Sequence, residues 1–154
     1  MSTPYDTPAA PHATHFERPP RVLIADDHPL FAQALRHALS DWQFDVLEPA
    51  RNGAEAVELA GRERPDVVLM DIYMTVLDGI RATRRVRAIS PATRVVAITS
   101  DDAPASRAAA EIAGASMVLL KTCAPEDLLD AVNRTAAGVS YGVDMGASYG
   151  SSAP

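Results

Sequence analysis

The feature that most restricts the fold of this chain is a fivefold alternation of short apolar runs with amphipathic stretches. The run at residues 67–70 is typical, because its residues are all apolar, Pro65 comes shortly before it and Asp71 ends it. A strand with one face in water would alternate apolar and polar residues, so this run predicts a strand buried on both faces. Five such strands alternating with helices predict an α/β fold with a parallel sheet and right-handed crossovers. The doubly wound strand order 2-1-3-4-5 is the leading topology.

Element boundaries follow from apolar spacing and from residues that begin or end helices. We predict strands at residues 21–25, 44–47, 67–70, 94–98 and 117–120, of which the second is the weakest. The first predicted helix has an apolar face at three- and four-residue spacing, formed by Leu30, Phe31, Ala34, Leu35, Ala38 and Leu39. Asp78 is expected to cap the third helix, and Gly114 and Gly138 to end the fourth and fifth. Trp42 and Phe44 are expected to pack the first helix against the sheet.

Composition limits the class of protein. The chain has 154 residues, enough for one domain, and its 47% hydrophobic and 22% charged content is that of a globular protein. No apolar run is long enough to span a bilayer, and no secretory signal is visible. A single cysteine, Cys123, excludes an internal disulfide and suits the cytoplasm. The formal net charge of −6 argues against direct binding of nucleic acid.

Three segments differ in their residue content. Residues 1–20 are rich in proline and poor in large apolar residues, which predicts a disordered segment. The strand–helix alternation occupies residues 21–137, the predicted domain. Residues 138–154 are rich in glycine, serine and alanine, and we expect a flexible tail there.

Polar residues follow four of the five predicted strands, namely Asp26, Asp27, Asp71, Thr99 and Lys121. These strand ends share one edge of a parallel sheet, so the side chains are expected to converge. Three carboxylates close together repel each other and stay ionised only if a cation offsets them. Oxygen ligands favour Mg²⁺, and Lys121, the one lysine of the chain, would add a further positive charge.

Such a site suits phosphoryl transfer to a carboxylate. Asp71 is the best candidate nucleophile, because its strand is central in the predicted order. Mg²⁺ and Lys121 would neutralise charge on the phosphoryl oxygens, and the Thr99 hydroxyl could hydrogen-bond one of them. The opposing interpretation, ordinary strand-end caps with a surface lysine, is disfavoured because four strand ends agree.

The sequence also resembles the receiver domains of bacterial response regulators, over residues 21–137. The matching features are the acidic pair Asp26-Asp27, the phosphoacceptor Asp71 and the loop Met74…Asp78-Gly79 after it. The switch hydroxyl Thr99 and the lysine Lys121 complete the match. Residues 78–84, and Ala137-Gly138 followed by Tyr141, most resemble the NarL/FixJ subfamily. The resemblance implies the flavodoxin-like receiver fold and a phosphorylation-dependent signalling switch rather than an enzyme.

The resemblance further implies the roles of individual residues. A sensor histidine kinase would phosphorylate Asp71, with Mg²⁺ held by Asp27, Asp71 and the Tyr73 backbone carbonyl, and with Asp26 acting through water. Thr99 would then turn toward the phosphoryl group. That movement would remodel the surface of the fourth helix, fifth strand and fifth helix, through which a homodimer is one expected output. No membrane or nucleic-acid contact is expected of this chain.

The chain departs from the usual receiver pattern at a few positions. Thr75 stands where the family usually has proline, which suggests a less rigid loop. Val118 stands where an aromatic residue often takes part in switching, and a valine has no ring to swing inward. Tyr73 and Asp101 lie where the family tunes autodephosphorylation, and a bulky Tyr73 is expected to hinder the attacking water.

Two other functions stay open. NarL-like receivers usually carry a helix-turn-helix domain, so the chain is alternatively the receiver part of a DNA-binding regulator, although nothing after Gly138 could form that domain. An aspartyl-nucleophile phosphatase is the second alternative. Such enzymes commonly have another Asp two residues after the nucleophile, where this chain has Tyr73. His28 is expected to be a surface or capping residue rather than a metal ligand.

Overall fold

The computed structural model describes residues 17–138, which alternate five strands with five helices. The strands are β1 (Arg21–Ala25), β2 (Asp45–Val46), β3 (Val67–Asp71), β4 (Arg94–Thr99) and β5 (Met117–Leu120). The helices are α1 (Pro29–Asp41), α2 (Gly53–Glu63), α3 (Gly79–Ile89), α4 (Pro104–Ala113) and α5 (Pro125–Ala136). The disordered segment predicted before residue 21 and the tail predicted from residue 138 lie almost wholly outside the described residues.

The strands form one parallel sheet in the order β2-β1-β3-β4-β5, which confirms the predicted topology. β3 lies at its centre and all of its residues are buried, as its continuous apolar run predicted. The chain adds β2 on one side of β1 and the later strands on the other. The order in which strands are added therefore reverses between β1 and β3. Ligand sites in open α/β sheets lie at the carboxyl ends of the strands beside such a reversal.

Helices cover both faces of this sheet. On one face, α1 and α5 pack against strand residues such as Leu69 and Ile98. On the other face, α2 and α3 pack against the alternate strand residues, for example Leu23 and Val68, and α4 adds Ala110 to a smaller cluster. Because successive strand side chains point to opposite faces, each central strand contributes to both layers. Among the described helices, none has the length and apolarity needed to cross a bilayer.

Most predicted helix boundaries are confirmed. Proline occupies the first turn of α1, α4 and α5, where its missing N–H breaks no helical hydrogen bond. The side chains of Asn52 and Asp78 each accept a hydrogen bond of 2.9 Å from the backbone N–H three residues later. Gly114 and Gly138 follow α4 and α5 with φ of 113° and 75°, the left-handed conformation that ends helices.

The predicted apolar face of α1 was partly wrong. Leu30 and Ala34 were expected to face the core, but both are exposed, Leu30 to 88%. The buried stripe of α1 is Ala32, Leu35 and Leu39. Leu30 and Ala34 are four residues apart and share a flank of the helix that the sheet does not cover. The apolar residues of α1 therefore extend beyond its buried stripe.

The region between α1 and β2 also differs from the prediction. β2 is only Asp45–Val46 and pairs with β1 at the edge of the sheet. Phe44 is buried as expected, but Trp42 is 46% exposed and does not pack fully against the sheet. Gln43, between them, has φ 67° and turns the chain between the exposed Trp42 and the buried Phe44.

Candidate functional site

The predicted polar residues meet at the carboxyl edge of the sheet. Asp26 follows β1, Asp71 ends β3, Thr99 ends β4 and Lys121 follows β5. Lys121 Nζ lies 2.9 Å from Asp26 Oδ2 and 3.1 Å from Asp71 Oδ2, so one ammonium bridges two carboxylates. The side chains of Asp26 and Asp71 are 0% and 2% exposed, and that of Lys121 is 15% exposed. The bridge is therefore largely shielded from water.

Thr99 is connected to this pocket through the backbone. The Lys121 N–H donates to the Thr99 carbonyl oxygen over 2.8 Å, which joins the ends of β4 and β5. Thr99 is buried, and its neighbour Ile98 pairs with Asp71 across β3 and β4. The Thr99 hydroxyl accepts a hydrogen bond of 3.2 Å from the Asp101 N–H. The hydroxyl therefore lies one residue beyond Asp71 and contacts the loop that leads to α4.

Burial and neighbouring charges act on the pKa of Asp71 in opposite directions. Burial, and then the negative charge of Asp26, raise the pKa of the Asp71 carboxyl. Lys121 and the Tyr73 N–H, which donates to Asp71 Oδ1 at 3.1 Å, reduce that rise without cancelling it. Burial lowers the pKa of Lys121, but the two carboxylates outweigh it and raise that pKa above its ordinary value. The ammonium thus stays charged and cannot offset both carboxylates by itself.

The acidic corner of the pocket fits a hard divalent cation. Ligand atoms of Asp26, Asp27, His28 and Asp71 all lie within 4.8 Å of one another. Asp26 Oδ2 and Asp27 Oδ1 are buried and accept no hydrogen bond, although Lys121 and His28 are within ion-pair distance. Carboxylate oxygens are the ligands that Mg²⁺ prefers, and a divalent charge would offset the excess negative charge. The residues present therefore fit the predicted ion.

His28 lies at the rim of the acidic corner. It directly precedes α1, but its side chain makes no capping hydrogen bond. Its Nδ1 lies 3.1 Å from both Asp26 Oδ1 and Asp27 Oδ1, and the side chain is 69% exposed. A protonated Nδ1 can donate to Asp26 Oδ1, whereas its contact with Asp27 Oδ1 is at ion-pair distance only. The expected surface position of His28 is thus confirmed, whereas the helix-capping role is not.

Tyr73 belongs to a hydrogen-bond network that sequence reasoning found only in part. The Tyr73 hydroxyl donates to Asp101 Oδ2 and lies 3.1 Å from Ser106 Oγ in α4. The hydrogen bond from Tyr73, together with one from the Ala103 N–H, lowers the pKa of Asp101. The sequence singled out Tyr73 and Asp101 but not Ser106, because no spacing pattern connects residues 73 and 106. The network links the loop after β3 to the start of α4.

The start of α3 lies directly against the candidate nucleophile. The Gly79 N–H donates to the Ile72 carbonyl oxygen at 2.8 Å. A Cβ added at Gly79 would be 1.9 Å from the Asp71 carbonyl oxygen, far inside van der Waals contact. Glycine at this position therefore allows the backbone approach that places α3 under Asp71.

The loop between β3 and α3 contains a tight three-residue turn. The Leu77 N–H donates to the Thr75 carbonyl oxygen at 2.8 Å, with Val76 between them at φ 68°. This is a γ-turn, a strained conformation that is unusual for a β-branched residue. Val76 is 81% exposed, so its side chain gains little burial there. The turn was not predicted, because valine is not a turn residue.

Val118 is buried at the position where the resemblance suggested an aromatic residue. Its carbonyl oxygen accepts a hydrogen bond of 3.0 Å from Arg107 Nη1 of α4. α4 and β5 therefore meet through this guanidinium–backbone hydrogen bond as well as through the packing of Ala110 and Val118 in one cluster. The sequence identified the valine but not Arg107, since a backbone carbonyl leaves no signal in the residue type.

A family model described as "Response regulator receiver domain" matches residues 22–133. The nitrate/nitrite response regulator protein NarP of Escherichia coli is 36% identical over 129 residues, which cover 83% of this chain and 58% of that protein. The chain therefore spans little more than half of this curated relative. It spans only 22% of a protein-glutamate methylesterase/protein-glutamine glutaminase of Hahella chejuensis, over 79 matched residues.

Solved structures give the same match. The signal receiver domain of the response regulator NarL from Mycobacterium tuberculosis is 36% identical with a TM-score of 0.74, covering 79% of this chain and 98% of that one. A response regulator from Burkholderia pseudomallei, solved with a phosphorylated aspartic acid, a calcium ion and citrate, is 27% identical with a TM-score of 0.69. That match covers 78% of this chain and 70% of the Burkholderia chain.

Proposed function

This chain belongs to the response regulator receiver family, and we propose that it accepts a phosphoryl group on Asp71 from a sensor histidine kinase. The observation that carries the proposal is the Lys121 ammonium held between Asp26 and Asp71 at the carboxyl edge of the sheet. This arrangement puts a buried carboxylate, a fixed cation and an acidic corner around one reacting atom. We propose residues 21–137 as the functional unit, in line with the match over residues 22–133.

The chemistry follows from the groups around Asp71. A carboxylate oxygen of Asp71 attacks the donor's phosphorus, the bond from phosphorus to the donor breaks, and the leaving group takes its electron pair. The Lys121 ammonium offsets charge on the phosphoryl oxygens, and the Thr99 hydroxyl can hydrogen-bond one of them. Asp27, Asp71 and the Tyr73 carbonyl would hold Mg²⁺, with Asp26 acting through water, and the bound ion would supply further positive charge against those oxygens.

We further propose that the output is a changed protein surface. Thr99 pairs with Leu120 of β5, α5 packs against β4, and α4 follows Thr99 along the chain, so the α4-β5-α5 face is the expected homodimer or partner surface. The net charge of −6 supports the absence of direct nucleic-acid binding by this chain. A cytoplasmic location, where a kinase would meet the chain, stays a prediction that cell fractionation can check.

One alternative has specific support. NarP and the methylesterases are much longer than this chain, so the receiver is alternatively one part of a DNA-binding regulator or of another multidomain protein. Reading the gene beyond residue 154 decides between these alternatives and a stand-alone receiver. We do not propose a phosphatase, because Tyr73 occupies the position of the second acid and its hydroxyl is engaged with Asp101.

Incubation with acetyl phosphate tests the proposal. With Mg²⁺ present, intact mass spectrometry is expected to show one phosphoryl adduct, and excess chelator is expected to prevent it. Asp27→Asn removes one proposed ligand and should raise the Mg²⁺ concentration needed by at least about tenfold. Asp102→Asn, a change of an exposed acid outside the pocket, is the matched control and should behave like the wild type. An adduct that forms equally well in chelator would contradict the metal site.

Tyr73 is expected to lengthen the life of the phosphorylated state. Its ring is anchored by Asp101 and Ser106, and we propose that it limits access of water to phosphorylated Asp71. Tyr73→Ala should shorten the half-life of the adduct several-fold. Tyr73→Phe keeps the ring without its anchor and should fall between the alanine variant and the wild type. Equal half-lives for Tyr73→Ala and wild type, followed by mass spectrometry after donor removal, would refute this role.

A further inference from the structure

The Lys121 ammonium also contacts a side chain outside the acidic pocket. Its Nζ lies 4.7 Å from the centroid of the Phe31 ring, with the cation over the ring. Phe31 comes from α1, two residues after its start, and packs in part against the core cluster formed by α1, α5 and the sheet. The ring is thus fixed by packing and is a preformed surface for the ammonium.

Geometry and charge give this contact a physical role. A cation within about 6 Å of an aromatic ring centroid is attracted by the electron density of the ring face, and more strongly when water is excluded. The Lys121 side chain is 15% exposed, and its ammonium already contacts Asp26 and Asp71. The Phe31 ring is therefore a third contact of the ammonium. The long lysine side chain has many rotamers, and a ring against it leaves fewer of them accessible.

The space beside the ring offers the lysine side chain an alternative position. An apolar cavity of about 180 Å³ lies between α1 and α5, with Phe31, Leu35, Ile98, Leu128 and the Lys121 side chain in its wall. Without the ring, this cavity would open further beside the lysine stem. The apolar methylenes of lysine could then move into it and withdraw the ammonium from the carboxylates.

We propose that Phe31 is a positioning residue, whose ring face holds the Lys121 ammonium between Asp26 and Asp71. The proposal rests on the function proposed above, in which that ammonium offsets charge on the transferred phosphoryl group. Phe31 itself touches no reacting atom. Its contribution is to keep the lysine in the one arrangement where it can act.

The single lysine of the chain makes a direct test possible. Selective ¹³C labelling of lysine gives one set of side-chain NMR signals, all from Lys121. Protons above a ring face are shielded, so the Lys121 Cε protons should resonate upfield of their random-coil position in the wild type. Phe31→Leu and Phe31→Met keep an apolar side chain without a ring, and both should move these signals downfield. Phe31→Tyr keeps the ring face and should retain the wild-type position.

The same variants are compared in phosphorylation by acetyl phosphate at saturating Mg²⁺. Phe31→Leu and Phe31→Met should slow the reaction about three- to tenfold, the range expected for losing a cation–π contact that is partly shielded from water. Phe31→Tyr should restore the rate to within about twofold. Thermal unfolding identifies any variant that fails to fold, and the second non-aromatic variant then takes its place.

Three results would overturn the proposal. They are unshielded Lys121 signals in the wild type, wild-type rates in the non-aromatic variants, or a loss of rate that Phe31→Tyr does not restore. If the wild type itself takes no phosphoryl group, the proposed function fails, and the NMR signals still report whether Phe31 holds Lys121.

Discussion

Asp71→Asn is expected to abolish the phosphoryl adduct, whatever the donor, while the chain stays folded. The amide lacks the anionic oxygen that would attack phosphorus, and no other described carboxylate is paired to Lys121 at the end of the central strand. Asp26 is paired to the same ammonium but follows β1. The measurement is intact mass after incubation with acetyl phosphate and Mg²⁺. An adduct on Asp71→Asn would show that another side chain is the acceptor, and peptide mapping would then identify it.

The same variant is expected to be more stable than the wild type near neutral pH. Burial and Asp26 raise the pKa of Asp71 in the folded chain, so its ionised form is less favourable there than in the unfolded chain. The contribution of protonated Asp71 to the free energy of unfolding is fully present below the pKa of Asp71 in the unfolded chain. It is lost as the pH rises through the higher pKa of Asp71 in the folded chain. The excess stability of Asp71→Asn should therefore shrink as the pH is lowered toward 3.8, the ordinary value. Thermal unfolding across this pH range checks the sign.

Gly79→Ala is expected to damage both the fold and the site. The new methyl group would lie 1.9 Å from the Asp71 carbonyl oxygen, so either the start of α3 or the end of β3 must move. Overpacking of this kind costs about 1–3 kcal/mol, and contact with backbone rather than a flexible side chain places it near 3 kcal/mol. Urea unfolding measures the loss of stability. Because Asp71 itself is displaced, its phosphorylation should slow as well.

Gly61→Ala is the matched control for this change. Gly61 lies inside α2, and a Cβ there would meet only Ile89 Cδ1 at 3.1 Å, the movable end of a half-exposed side chain. Alanine in a helix interior is favoured over glycine by about 0.5–1 kcal/mol, so this variant should unfold at a higher urea concentration. If Gly79→Ala is as stable as Gly61→Ala, the close contact with Asp71 does not constrain the chain.

The architecture could be predicted from the sequence because it depends on regular patterns. Continuous apolar runs such as residues 67–70 identify strands buried on both faces, and their alternation with helices requires parallel pairing. The convergence of Asp26, Asp71 and Lys121 follows from that pairing alone. The exposure of Leu30 could not be predicted in the same way, because apolar spacing does not report how much of a helix the core covers.

The contacts that refine the site could not be predicted, for a different physical reason. They join residues that are separated in the chain and that no sequence spacing connects. Ser106 reaches Tyr73, Arg107 reaches the carbonyl oxygen of Val118, and Phe31 reaches Lys121. None of these pairs follows from periodicity or from a capping preference. They depend on how helices are positioned over the finished sheet.

The hydrogen bond from the Lys121 N–H to the Thr99 carbonyl oxygen limits which groups can move first after phosphorylation of Asp71. It joins the ends of β4 and β5, so a shift of the β4 backbone would also displace Lys121. The buried Thr99 side chain can rotate about χ1 without moving that backbone. If the hydroxyl turns toward a phosphoryl group, it must release the Asp101 N–H it now accepts from. The first change is then a rotation of the Thr99 side chain, and the loop before α4 loses one of its hydrogen bonds.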